Sequence, residues 1–130
     1  MVATIEDSTL SGSASNGLRI DTGALTGGTG VRVQISNSTI SQNVYGINVI
    51  AMPANPAVIG VVGSTIHGNT TAVVTNGVSA QVRLSGNVIS NNITGTNPAG
   101  SSTIASYGDN VMFGNVADGT LSPVAVQPKR

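Results

Sequence analysis

Apolar and polar positions alternate along this chain in short bursts, and one six-residue burst recurs five times. The copies are Ile5-Glu6-Asp7-Ser8-Thr9-Leu10, Ile35-Ser36-Asn37-Ser38-Thr39-Ile40, Val61-Val62-Gly63-Ser64-Thr65-Ile66, Leu84-Ser85-Gly86-Asn87-Val88-Ile89 and Tyr107-Gly108-Asp109-Asn110-Val111-Met112. Each closes on an apolar anchor. The anchors Leu10, Ile40, Ile66, Ile89 and Met112 lie 30, 26, 23 and 23 residues apart, a spacing that fits one solenoid coil per repeat.

Three residues past the anchors stand Ser13, Asn43, Asn69, Asn92 and Asn115. Asparagine tolerates left-handed backbone at a turn, and its amide can bond to an equivalent amide in the coils above and below. Turn preference alone explains an enrichment in Asn but not a fixed offset from an apolar anchor. Asn43, Asn69, Asn92 and Asn115 are therefore expected to form a structural ladder.

A second alternation follows in Gly17-Leu18-Arg19-Ile20, Gly46-Ile47-Asn48-Val49 and Ala72-Val73-Val74-Thr75. Each coil thus has room for three short strands. In the second coil they are expected at 31–35, Thr39–Ser41 and 46–50, with Val33, Ile35, Ile40, Ile47 and Val49 pointing inward. The third side loses regularity at Gly95-Thr96-Asn97-Pro98 and Gly119-Thr120-Leu121. Variation in coil length concentrates at 22–30, 51–56 and 97–102, where Gly and Pro cluster, as insertions along one edge of a solenoid do.

The expected fold is all-β: a single-stranded right-handed parallel β-helix of about five coils, each with three short strands, carrying an asparagine ladder over residues 1–121. Residues 122–130 are expected to be a tail folding beneath the last coil, with Pro123 and Pro128 withholding donors from a further strand. A β-sandwich also uses many short strands, but it has no reason to repeat one motif at one offset. No stretch keeps helical periodicity for a dozen residues without Gly, Thr or Asn interrupting it. Each coil adds about 4.8 Å, so five coils stand roughly 24 Å high.

Composition fits this picture and narrows the function. Only 8% of residues are charged and 2% aromatic, against roughly 25% charged in ordinary domains, so Ser, Thr, Asn, Gln and Gly must cover the surface. With 39% apolar residues and formal net charge zero, the chain lies outside the disordered class. Its basic residues Arg19, Arg32, Arg83, Lys129 and Arg130 are scattered, which argues against nucleic acid as a partner. Without cysteine there are no disulfides or thiolate metal sites. Met1 leads into patterned sequence with no basic and apolar leader, so no signal peptide is expected in these residues, and no apolar run is long enough for membrane insertion.

Ser38-Thr39-Ile40-Ser41-Gln42-Asn43 followed by Gly46-Ile47, Ser64-Thr65-Ile66-His67-Gly68-Asn69, and the closing Ser106-Tyr107-Gly108-Asp109-Asn110 with Gly114-Asn115 and Asp118-Gly119-Thr120 carry a likeness. The chain resembles the bacterial right-handed parallel β-helix repeat proteins of the pectin-lyase-like superfamily, and in particular the C-terminal coils of secreted members of unknown function. The resemblance covers nearly the whole chain. It implies an extracellular or cell-surface setting and a chain that corresponds to a C-terminal portion or a short relative. It leaves the activity open, because that superfamily mixes lyases, hydrolases and adhesins.

Catalysis by those lyases and hydrolases needs acids on adjacent coils, for calcium or for general acid and base work. Here Glu6 and Asp7 fall in the first coil, Asp21 in an insertion, and Asp109 and Asp118 in the last. No acid cluster, cofactor site or metal site is expected, and no catalytic residue can be named. Asp109 reads as a turn residue, His67 as an ordinary surface side chain without a second ligand or nucleophile, and Arg32 and Arg83 as part of a solvated sheet face with Gln34 and Gln81. The sequons at Asn37, Asn69 and Asn92 read as coincidence, since the last two belong to the ladder. Thr9, Thr39 and Thr65 begin a column that continues as Val88 and Val111, too short for a threonine array, while Tyr107 and Phe113 are expected to pack at the final coil.

These features point to a non-enzymatic structural or interaction module that contacts a protein partner or carbohydrate, or that forms a homo-oligomer through its open coil ends. The alternative is a degenerate carbohydrate-active domain of the polysaccharide lyase or glycoside hydrolase kind.

Overall fold

The computed structural model describes residues 1–121. Fifteen strands follow one another along the described chain. They are β1 (Val2–Glu6), β2 (Thr9–Ser11), β3 (Asn16–Asp21), β4 (Val31–Ser36), β5 (Thr39–Ser41), β6 (Tyr45–Ile50), β7 (Ala57–Val62), β8 (Thr65–His67), β9 (Thr71–Asn76), β10 (Ala80–Ser85), β11 (Val88–Ser90), β12 (Thr94–Ala99), β13 (Thr103–Ser106), β14 (Val111–Phe113) and β15 (Ala117–Gly119). Every third strand pairs in parallel with the one before it, which winds the chain into a five-coil solenoid with three five-stranded sheets. We call these the first sheet (β1-β4-β7-β10-β13), the second (β2-β5-β8-β11-β14) and the third (β3-β6-β9-β12-β15). The tail at 122–130 lies outside the described residues.

Register follows the repeat. Leu10, Ile40, Ile66, Ile89 and Met112 sit in one column, each the direct partner of the next. Ile5, Ile35, Val61 and Leu84 form another, and Leu18, Ile47 and Val73 a third. Strand side chains alternate between faces, so these columns enter a single core in which Ile35, Ile40, Ile47, Val49, Ile59, Val61, Ile66 and Ile89 are fully buried. A single coil hides neither of its faces, so the burial is collective: each interior side chain contributes about 1.5–3 kcal/mol only when coils lie above and below it.

The last coil departs from the expected register by one residue. Leu84 pairs with Ser106, not with Tyr107. Gly108, with a φ of 84°, helps fit an extra residue into the corner, and Ser106 Oγ there accepts hydrogen bonds from Gly108 N (3.1 Å) and Asn110 Nδ2 (2.7 Å). The third sheet also runs further than expected, since β12 continues through Asn97 and Pro98 to Ala99, leaving a shorter connection before β13. Pro98 is tolerated because β15 ends at the level of Thr96, so the missing N–H faces no strand among the described residues. On that side the apolar column gives way to a buried polar pair, Thr75 Oγ1 and Ser102 Oγ, 2.6 Å apart.

Candidate functional site

Two corners of the solenoid are held by side-chain ladders. At the corner between the second and third sheets, Oδ1 of Asn43, Asn69, Asn92 and Asn115 accepts the backbone N–H of Ser13, Asn43, Asn69 and Asn92 at 2.9–3.0 Å. Each Nδ2 reaches back to a carbonyl of the preceding coil: Leu10, Ile40, Ile66 and Ile89. Amide-to-amide bonds of 2.9–3.2 Å join Asn43 to Asn69, Asn69 to Asn92 and Asn92 to Asn115. Donor and acceptor are both used at every rung, as a buried amide requires.

A second ladder occupies the corner between the first and second sheets. Backbone N–H groups of Ser8 and Ser38 donate to Ser38 Oγ and Ser64 Oγ, and those of Ser64 and Asn87 donate to Asn87 Oδ1 and Asn110 Oδ1, at 2.9–3.2 Å. Serine serves in the first three coils and asparagine in the last two. The signal for this column was a Ser or Asn two residues before every anchor. It went unread as a ladder because serine carries only one side-chain oxygen and is common in turns.

The outer face of the first sheet holds a groove of about 510 Å³ running across all five coils. Its floor is Gly60 at the centre of β7, flanked in register by Gln34 of β4 and Arg83 of β10. A Cβ at residue 60 would collide with Gln34 Oε1, so the glycine is what lets the glutamine side chain lie across the sheet. Arg32, Val58 and Tyr107 complete the walls. Arg83 donates to Gln81 Oε1 at 3.1 Å, and neither Arg32 nor Arg83 forms an ion pair among the described residues. Among the described residues no carboxylate lines this groove.

The other candidate residues are dispersed. Asp109 is a corner acceptor for Gly86 N (2.9 Å) and Ser85 Oγ (3.0 Å). Asp7 accepts from Asn37 Nδ2 at 2.6 Å, Asp118 from Asn115 Nδ2 at 3.0 Å, and Asp21 pairs with Arg19 at 2.9 Å. That hydrogen bond from Arg19, with a second from Gly23 N, holds the Asp21 carboxyl below its usual pKa. His67 stands on the outer face of β8 between Ser41 and Ser90. Among the described residues no three His, Cys, Asp or Glu side chains gather as a metal site would require. Asn69 and Asn92 are each 2% exposed, inside the ladder.

One placement differs from expectation. Phe113 is 53% exposed, because it pairs with Ser90 in an outward column of the second sheet and does not pack at the final coil. Arg32 and Arg83 are both exposed and fall in different columns of the first sheet, Arg32 beside Val58 and Arg83 beside Gly60, so they mark a diagonal across it. Gly60 itself went unnoticed in the sequence, since a glycine in an apolar run reads as a bulge. No protein-family model, no curated protein and no solved structure matches this chain.

Proposed function

We propose that the chain is a non-enzymatic interaction module of the pectin-lyase-like β-helix kind, bacterial in origin and extracellular or cell-surface in setting, which takes an extended carbohydrate chain along the outer face of its first sheet. The observation that carries this reading is the groove over Gly60, with Arg32 and Arg83 on either side of a polar amide floor. Arginine forks, the Gln34 amide and the Tyr107 ring suit the hydroxyls and any acidic groups of a sugar polymer laid across the coils. Against catalysis stands the placement of the carboxylates: coils two to four carry none, and Asp7, Asp21, Asp109 and Asp118 of the end coils serve turns, corners and a surface pair.

A glycan array probed with and without calcium tests the reading. Retention of a carbohydrate in both conditions, lost in the Arg32→Ala/Arg83→Ala double variant with unchanged thermal stability, is the expected result. Retention that survives the double variant, or no retention of any carbohydrate, removes the groove as a binding site. Cleavage of a retained polymer would favour the degenerate carbohydrate-active alternative.

A further inference from the structure

Along β7 the residues Val58, Gly60 and Val62 face outward while Ala57, Ile59 and Val61 fill the core, so the groove floor is a gap at Gly60 between two valines. The side chain of Gln34 lies in that gap. A Cβ at Gly60 would collide with Gln34 Oε1 and stand 3.3 Å from its Cδ and 3.6 Å from its Nε2, so the carboxamide rests over the glycine with its oxygen nearest. Neither amide atom of Gln34 bonds to another described residue, whereas Gln81 Oε1 in the same sheet accepts from Arg83, and Asn69 uses both ends of its amide. Across Gly60 from Gln34, in register on β10, stands Arg83, whose guanidinium has donors beyond the one given to Gln81. An amide acceptor and a guanidinium donor thus face one another over Gly60, at a spacing of about two strands, roughly 9.6 Å between backbones. Val58 is half-buried and Val62 is 42% exposed beside them.

We propose that the polymer taken by this groove carries acetamido groups, as an N-acetylated amino-sugar chain does, and that Gln34 selects them together with Arg83. This inference rests on the groove being a carbohydrate site and goes further by naming the substituent. The N–H and the carbonyl of an acetamido group point in opposite directions from one plane, with a methyl at the end. Laid over Gly60, the group donates its N–H to Gln34 Oε1, accepts from Arg83 at its carbonyl, and rests its methyl on the valines of β7. A side chain at residue 60 would displace the carboxamide and fill the space the group needs. Removal of the acetyl leaves an amine that is charged at neutral pH. It has no carbonyl for Arg83 and meets Arg32 and Arg83 as a like charge, with no carboxylate among the described lining to offset it. A hydroxyl in the same place lacks the methyl contact and cannot span the two partners.

An array that holds N-acetylglucosamine and N-acetylgalactosamine oligosaccharides, each also as its free amine and as the plain sugar of the same length and linkage, tests it on the full chain. The expected result is retention of an N-acetylated form, with the plain sugar about fivefold weaker and the free amine about thirtyfold weaker. Gln34→Met keeps the length of the side chain and removes its hydrogen bonding. It is expected to weaken the N-acetylated form about fivefold, to the level of the plain sugar, with the melting temperature unchanged because Gln34 is exposed. Plain or free-amine sugars held as tightly as the N-acetylated form, and released by Arg32→Ala/Arg83→Ala, would overturn the acetamido assignment while the groove stands as a carbohydrate site. Retention of no glycan removes the groove and this inference with it. An acetamido preference that persists in Gln34→Met overturns the role of Gln34. Should Gln34→Met fail to fold, the three sugar forms on the native chain decide the substituent.

Discussion

Replacing Asn69 by alanine removes the central rung of the asparagine ladder. Its Oδ1 accepts from Asn43 N (3.0 Å) and Asn43 Nδ2 (3.2 Å), and its Nδ2 donates to Ile40 O (3.2 Å) and Asn92 Oδ1 (3.1 Å). With the amide gone, Asn43 N–H is left buried without its acceptor, since Asn43 is 4% exposed and stands between strands. One orphaned buried donor costs about 1–3 kcal/mol, and the three other lost bonds add about 1 kcal/mol each, so the expected destabilisation is about 4–6 kcal/mol. That is a large part of the roughly 5–15 kcal/mol that holds a typical domain folded. Asn48→Ala is the control: its amide makes one bond, to Asn16 Oδ1 at 2.9 Å, on a partly exposed strand, and should cost under about 1 kcal/mol. Urea unfolding followed by far-ultraviolet circular dichroism measures both, with the midpoint read at constant slope. If Asn69→Ala falls within about 1 kcal/mol of Asn48→Ala, the ladder is a decoration of the turns and the reasoning fails.

The glycines separate into those that need only their φ and those that also need their space. Gly63→Asn is expected to be nearly neutral, within about 0.5 kcal/mol, because Asn37 holds the same corner one coil earlier at a φ of 46° and a Cβ at Gly63 meets nothing within 4 Å. Gly77→Ala should lose about 3 kcal/mol or more, since its φ of 102° is foreign to alanine and its Cβ would strike the Ala51 carbonyl; urea midpoints distinguish the two. Gly60→Val should leave the unfolding midpoint within about 1 kcal/mol, since only the end of the Gln34 side chain must move, while carbohydrate retention on the array is lost. For Asp21 the folded pKa is depressed, so its pairing with Arg19 stabilises above the usual carboxylate pKa and is lost as pH falls through the folded value. The melting-temperature gap between the native chain and Asp21→Asn should therefore close on acidification, and a gap independent of pH would contradict this linkage.

Much of the fold was legible because a solenoid repeats its constraints. Leu10, Ile40, Ile66, Ile89 and Met112 are one position of one coil, seen five times, so a pattern too weak in a single strand becomes readable in register. Where repetition decays the reading slipped. Ser106 and not Tyr107 continues the first-sheet column, and β12 passes through Pro98, because in the last coil a corner insertion and the short β15 relax the demands that the middle coils impose. The groove was illegible for a different reason. Its parts come from residues spread over all five coils, and each reads separately as an ordinary surface side chain.

By itself the amino-acid pattern determined the winding: period-2 alternation fixes which side chains enter the core, and identical corners at each anchor make stacking the one arrangement that satisfies them all. The tertiary structure alone decided what lies beside what on the outside. Outward side chains have no burial to constrain them, so only the coil-to-coil register places Gln34 over Gly60 and sets Arg32 and Arg83 on a diagonal across it.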